Sequence, residues 1–108
     1  MGTNDDTWVE ACAADAVAEE DVARFDHAGQ TYAIYRSADG KLHATDGLCT
    51  HGKVHLADGF VMGQLIECPK HNGRFDYTTG KAKRPPACAD LKTYAAREEG
   101  GRVFVRLK

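Results

Sequence analysis

The chain lacks most of what marks a specialised class. It has no basic block and a formal net charge of −2, so it offers no cationic face for nucleic acid. No apolar run approaches the roughly 18 residues of a membrane-spanning helix. The opening MGTNDDTWVEACAADAV has early acids and no basic segment ahead of an apolar one. A secretory signal is therefore not expected, and the cytoplasm is the expected compartment. Internal repeats, linkers and low-complexity tracts are missing. Proline is scarce, and two of its three copies adjoin in KRPPAC at 83–88, a stiff non-helical loop, because consecutive prolines lack donors and fix the backbone. What remains is ordinary for a globular protein: 43% hydrophobic and 28% charged residues. A length of 108 residues points to one domain over 1–108. A chain of this size buries about two thirds of its unfolded surface, enough for a modest core without obligatory staples.

Turn signals recur at short intervals: HAGQ at 27–30, SADGK at 37–41, DGLC at 46–49, TTGK at 78–81 and EEGGR at 98–102. The segments between them have strand character. TYAIYR (31–36) carries Tyr32, Ile34 and Tyr35, and LHATD (42–46) follows the Asp39-Gly40 turn. QLIEC spans 64–68. RVFVRL (102–107) alternates Val103, Val105 and Leu107 with Arg102, Phe104 and Arg106, and LKTYAARE (91–98) is its natural hairpin partner across Gly100-Gly101. The segment 10–25 is rich in Ala and Glu but has no apolar stripe at helical period, so it reads as strand, loop, strand. The whole predicts an all-β fold, an antiparallel sandwich or small barrel.

Two of the four cysteines and three of the five histidines crowd into LCTHGKVHLADGFVMGQLIECPKHNGRFDY, residues 48–77. Within it Cys49-Thr50-His51-Gly52 and Cys68-Pro69-Lys70-His71-Asn72-Gly73 each pair one Cys with one His beside a Gly or Pro. That context predicts ligands at the tips of two loops, where glycine allows tight folding and close approach of backbone N–H groups. A disulfide requires no histidine, and a reducing compartment disfavours it. A nucleophilic cysteine needs one base, not two matching clusters. A metal remains, and four ligands suit it. A zinc site could use the same atoms, but zinc fingers usually draw a Cys pair from one loop and a His pair from another. One Cys and one His from each loop suits a [2Fe-2S] centre in which two thiolates hold one iron and two imidazoles the other.

With these residues in view, the sequence resembles the Rieske ferredoxins of bacterial ring-hydroxylating oxygenase systems. The likeness spans nearly the whole chain and rests on CTHG at 49–52, CPKHNGRFD at 68–76, TGKAKRPPA at 79–87 and LKTY at 91–94. It implies the Rieske fold: an antiparallel β-sandwich with a small cluster-binding subdomain, about 47–87, built from two loops and a proline loop. It implies a Rieske-type [2Fe-2S] cluster with Cys49 and Cys68 on the inner iron and His51 and His71 on the outer, more exposed one. It also implies single-electron transfer from an NAD(P)H-dependent flavin reductase to a terminal Rieske oxygenase, an aromatic ring dioxygenase first, by a monomer that is not itself an enzyme. Service to an N- or O-demethylating monooxygenase is the alternative, and a zinc-binding interaction module a more distant one.

High-potential Rieske proteins of respiratory complexes carry an extra Cys in each box; the matching positions here are Val54 and Lys70. The same branch has Ser and Tyr hydroxyls on the cluster sulfurs, where this chain has Gly73 and Phe75. Both departures imply a low potential. An oxygenase of this class would need a second iron held by two His and a carboxylate. After the cluster ligands three histidines remain, with no His-x3–4-His pair, and some 30 residues follow the second box. Cys12 and Cys88 are expected to be plain packing residues, as are His27 and His43. His55 is the tempting spare, but a cluster with two imidazoles does not require it. Trp8 and the tyrosines are expected in the core.

Overall fold

The computed structural model describes residues 8–50, 53–70, 72–85 and 89–107. The proline pair of the KRPPAC loop is thus divided: Pro85 is described, whereas Pro86, Cys88, His51, Gly52, His71, Asp5 and Asp6 lie outside the described residues.

Among the described residues, eleven strands form three antiparallel sheets. β1 (Trp8–Ala13), β11 (Arg102–Arg106) and β10 (Ala96–Glu99) make the first, with β11 central. β2 (Asp21–His27), β3 (Gln30–Arg36), β4 (Leu42–Asp46) and β9 (Thr93–Tyr94) make the second, in that order. The third is a meander of β5 (Phe60–Met62), β6 (Leu65–Glu67), β7 (Arg74–Asp76) and β8 (Ala82–Arg84). The doubtful segment resolves as read: β1, a short 3-10 turn at Ala14–Ala16, then β2. Tight turns have the expected chemistry. Gly100 and Gly101 both take positive φ (59° and 80°) between Glu99 and Arg102, the backbone that a two-residue hairpin needs to match strand twist.

LKTYAARE does not form a single hairpin strand. It divides at Ala95: Thr93 and Tyr94 pair with Thr45 and Ala44 of β4, and only Ala96–Glu99 pairs with β11. One segment therefore serves two sheets and links them. Arg36 adds a second link, donating to the carbonyls of Val17 (2.7 Å), Ala14 (2.8 Å) and Gly40 (3.1 Å).

The second sheet is the middle layer. Strand neighbours point to opposite faces, and in β3 both faces are covered: Tyr32, Ala33, Ile34 and Tyr35 are all buried. Ile34 packs with Ala44, Val17, Val103 and Val105 against the first sheet. Ala33 and Tyr35 pack with Cys49, Leu56, Ile66, Cys68, Phe75, Tyr77 and Leu91 against the third. Tyr35 and Tyr77 stack across that junction, with ring centroids 4.5 Å apart and planes at 7°. Each phenol is satisfied: Tyr77 donates to the Gly63 carbonyl (2.7 Å), and Tyr35 pairs with Thr45 Oγ1 (2.8 Å). Burial pushes the Tyr77 phenol up to about 12, and Tyr35 upward as well. A fully buried side chain of this kind stabilises by about 1.5–3 kcal/mol. Trp8 departs from expectation. It is half-buried on an outer strand, with the Arg97 guanidinium 4.2 Å from its ring centre. Among the described residues no helix is long and apolar enough to cross a membrane.

Candidate metal centre

The first Cys/His box sits on a narrow loop closed by backbone. Gly47 N–H donates to the Thr31 carbonyl (2.9 Å), Leu56 N–H to Gly47 (2.8 Å) and Cys49 N–H to Val54 (2.9 Å). Leu48 and His55 face each other across it as an isolated antiparallel bridge. The second box joins β6 to β7. Cys68 N–H donates to the Gly73 carbonyl (2.7 Å), and Asn72 makes the return turn at φ 58°, a left-handed conformation that asparagine tolerates better than most residues. Leu56, Ile66 and Phe75, fully buried, anchor the bases of both loops in one core. Thr50 Oγ1 donates to the Ala89 carbonyl (2.7 Å), tying the first loop to the far end of the proline loop. Sequence reasoning passed over Thr50, although its place inside the C-T-H box could have marked it.

The two loops bring Cys49 and Cys68 together. Both are buried, at 5% and 2% exposure, lie in one core cluster and form no disulfide. Burial pushes the Cys68 thiol up and the neighbouring Cys49 adds to this, with the Lys70 backbone acting the other way. Two adjacent thiolates in an apolar pocket are costly on their own. A cation bound to both removes that cost and drives off their protons. The donor set thus fits a thiolate-bound metal. Among the described residues no third His, Cys, Asp or Glu completes a group with them. His51 and His71, the other two expected ligands, fall outside the described residues.

The other singled-out residues are elsewhere. His55 is buried, and both its ring nitrogens are engaged, with Thr31 Oγ1 and the Ala57 amide. His43 meets Ser37 Oγ at 3.1 Å and the Tyr77 ring edge-on, and burial holds its pKa below the usual imidazole range. The buried Ser37 hydroxyl donates to Asp39, so this Ser, His and Asp brace a turn and make no nucleophile. His27 is exposed at the end of β2. Cys12 is half-buried on β1, its thiol raised by burial, in keeping with a packing role.

Gly47 is a tight spot. A Cβ there would lie 2.6 Å from His55 Nε2 and 3.0 Å from backbone atoms of both Thr31 and Tyr32. Gly47→Ala should therefore lower the unfolding free energy by about 2 kcal/mol, read as a fall in denaturant midpoint at unchanged slope.

Comparison with known proteins places these features in a family. The family model described as the Rieske [2Fe-2S] domain matches residues 7–95. The ferredoxin component of the naphthalene 1,2-dioxygenase/salicylate 5-hydroxylase systems of a Ralstonia species is 43% identical over 101 residues, covering 94% of this chain and 96% of the relative. The ferredoxin of Sphingomonas yanoikuyae B1 superposes with a TM-score of 0.84 at 36% identity, covering 91% of this chain and 96% of the other. A solved complex of reduced oxygenase and oxidised ferredoxin in carbazole 1,9a-dioxygenase contains a chain that superposes with a TM-score of 0.88 at 32% identity, covering 94% of both.

Proposed function

Because this chain belongs to the Rieske [2Fe-2S] domain family, with ferredoxin components of dioxygenase systems among its relatives, we propose that it is the electron carrier of a ring-hydroxylating oxygenase. In this reading it takes single electrons from a flavin-dependent, NAD(P)H-oxidising reductase and delivers them to a terminal Rieske oxygenase. The carrying observation is the meeting of Cys49 and Cys68 in one buried pocket at the bases of two loops. Cys49, Cys68, His51 and His71 would hold the cluster. The chain works as a monomer in the cytoplasm, as one Rieske domain over 1–108, with the cluster-binding part at about 47–87.

The residues described around the loops divide the labour. The apolar core about the two cysteines keeps water from the thiolates. The Cys68 amide and the Gly73 carbonyl fix the second loop, and Thr50 fixes the first. The cluster supplies a one-electron couple when bound. The test is composition and spectroscopy: two irons and two acid-labile sulfides per chain, with a Rieske EPR signal on reduction. His51→Ala and His71→Ala should each abolish that signal, and a variant of either that kept it unchanged would refute the ligand set. Colourless protein containing zinc would favour an interaction module instead.

Transfer to two partners in turn calls for a small, weak interface. Lys53 and Lys70 are exposed beside the two boxes, and Pro85 is exposed on the third loop. Lys53→Glu or Lys70→Glu should slow reduction of the oxygenase about tenfold at low ionic strength, leaving potential and visible spectrum unchanged. Stopped-flow oxidation across a salt series checks this, and the wild-type rate should itself fall as salt rises.

A further inference from the structure

Four positions after His51 in the sequence, a buried histidine makes two directional bonds that belong to no ligand set. The Ala57 N–H donates to His55 Nδ1 at 3.0 Å, so Nδ1 carries no proton. The proton of the neutral ring is then on Nε2, which lies 2.8 Å from Thr31 Oγ1 and donates to it. The Thr31 hydroxyl in turn donates to Asp26 Oδ1 at 2.5 Å. The three side chains form a directed chain from the loop, through β3, to β2. Burial first, and then the Arg24 guanidinium, hold the imidazole pKa low against Asp58 on its own turn and Asp26 on β2. His55 also faces Leu48, the neighbour of Cys49, and Gly47 leaves only enough room for its Nε2.

We propose that His55, through its Nε2–H bond to the Thr31–Asp26 pair, is a positioning residue that fixes the Cys49 loop on the sandwich. This rests on the reading of that loop as cluster-binding. Among the described residues, backbone bonds close the loop upon itself and join it to β3 only at its base, where Gly47 meets Thr31. The imidazole is the side-chain tie at its other strand. Cluster retention in this chain thus depends on a histidine that does not bind the metal.

Two substitutions separate the two ends of the ring. His55→Gln keeps a donor that reaches Thr31 but gives up the δ-position acceptor for Ala57. His55→Asn keeps that acceptor, in the manner of an Asx-turn, but is too short for Thr31. Thr31→Val removes the hydroxyl at constant shape. Holoprotein is challenged with excess iron chelator and bleaching is followed in the visible. Amide exchange of residues 47–56 is measured in parallel. His55→Asn and Thr31→Val should each lose the cluster about tenfold faster than wild type and exchange the loop amides faster. His55→Gln should restore most of the difference, and the Thr31→Val/His55→Asn double variant should be no worse than either single one. Long-range 1H–15N spectra of wild type should show the Nε2-protonated tautomer. Rescue by His55→Asn rather than His55→Gln, additive effects, or an Nδ1-protonated ring would overturn the assignment. Wild-type protein without iron and sulfide would refute the cluster reading, and the exchange data would still judge the tie.

Discussion

Cys49→Ser and Cys68→Ser should each yield a chain without iron, without visible colour and without a cooperative unfolding transition near that of the holoprotein. The effect is large because ligation and folding are one equilibrium here. Both thiols lie in the core that joins the second and third sheets, beside Leu56, Ile66, Phe75, Tyr77 and Leu91. A bound structural metal contributes on the order of 10 kcal/mol in small zinc domains, against a total stability of about 5–15 kcal/mol for a typical domain. A serine is a poor ligand, and it leaves a hydroxyl in an apolar site facing an unmatched thiol. Iron content, circular dichroism and thermal melts measured together decide the matter. Variants that retained two irons and the parent melting curve would remove Cys49 and Cys68 from the ligand set.

The midpoint potential should fall at the low Rieske limit, about −150 mV on a span reaching about +300 mV. Hydrogen bonds to cluster sulfurs favour the reduced, more negative state and so raise the potential. The two positions that bear hydroxyls in the high-potential branch are here Gly73, whose carbonyl is engaged by the Cys68 amide, and Phe75, which is fully buried against both cysteines. Neither side chain can donate. Protein-film voltammetry should give a value nearly constant around neutral pH that declines only in alkali. The sign follows from coupling: where oxidation releases an imidazole proton, higher pH favours the oxidised form and lowers the potential. Phe75→Tyr should raise the potential wherever its new hydroxyl reaches a cluster sulfur. A midpoint of several hundred positive millivolts would remove the low-potential reading.

Local chemistry made much of this legible beforehand. Turn residues at 27–30, 37–41 and 98–102 bracket strands where expected, because Gly29, Gly40, Gly100 and Gly101 take positive φ there, a backbone that residues with side chains rarely adopt. The two boxes stood out because Cys and His at such spacing have few other uses. The division of 91–98 between two sheets was hidden, since a run of residues with strand propensity carries no mark of which neighbour each half will pair with. Trp8 misled because an aromatic ring can be covered by a guanidinium as well as by a core. The role of His55 was invisible: its partners Thr31 and Asp26 lie 24 or more positions away.

β3 presents Ile34 to one core and Ala33 and Tyr35 to the other, and the second of these cores contains Cys49 and Cys68. The third sheet, with the two cysteine loops, is therefore not a detachable module. A transplant of residues 47–85 onto a foreign sandwich would arrive without the floor it stands on, and Tyr77 would lose the Tyr35 ring beneath it. Recombination between members of this architecture should succeed only when the break points keep 30–46 and 47–85 from the same parent. In hydrogen exchange, the β3 amides should be the last to yield, opening only when both cores fail together.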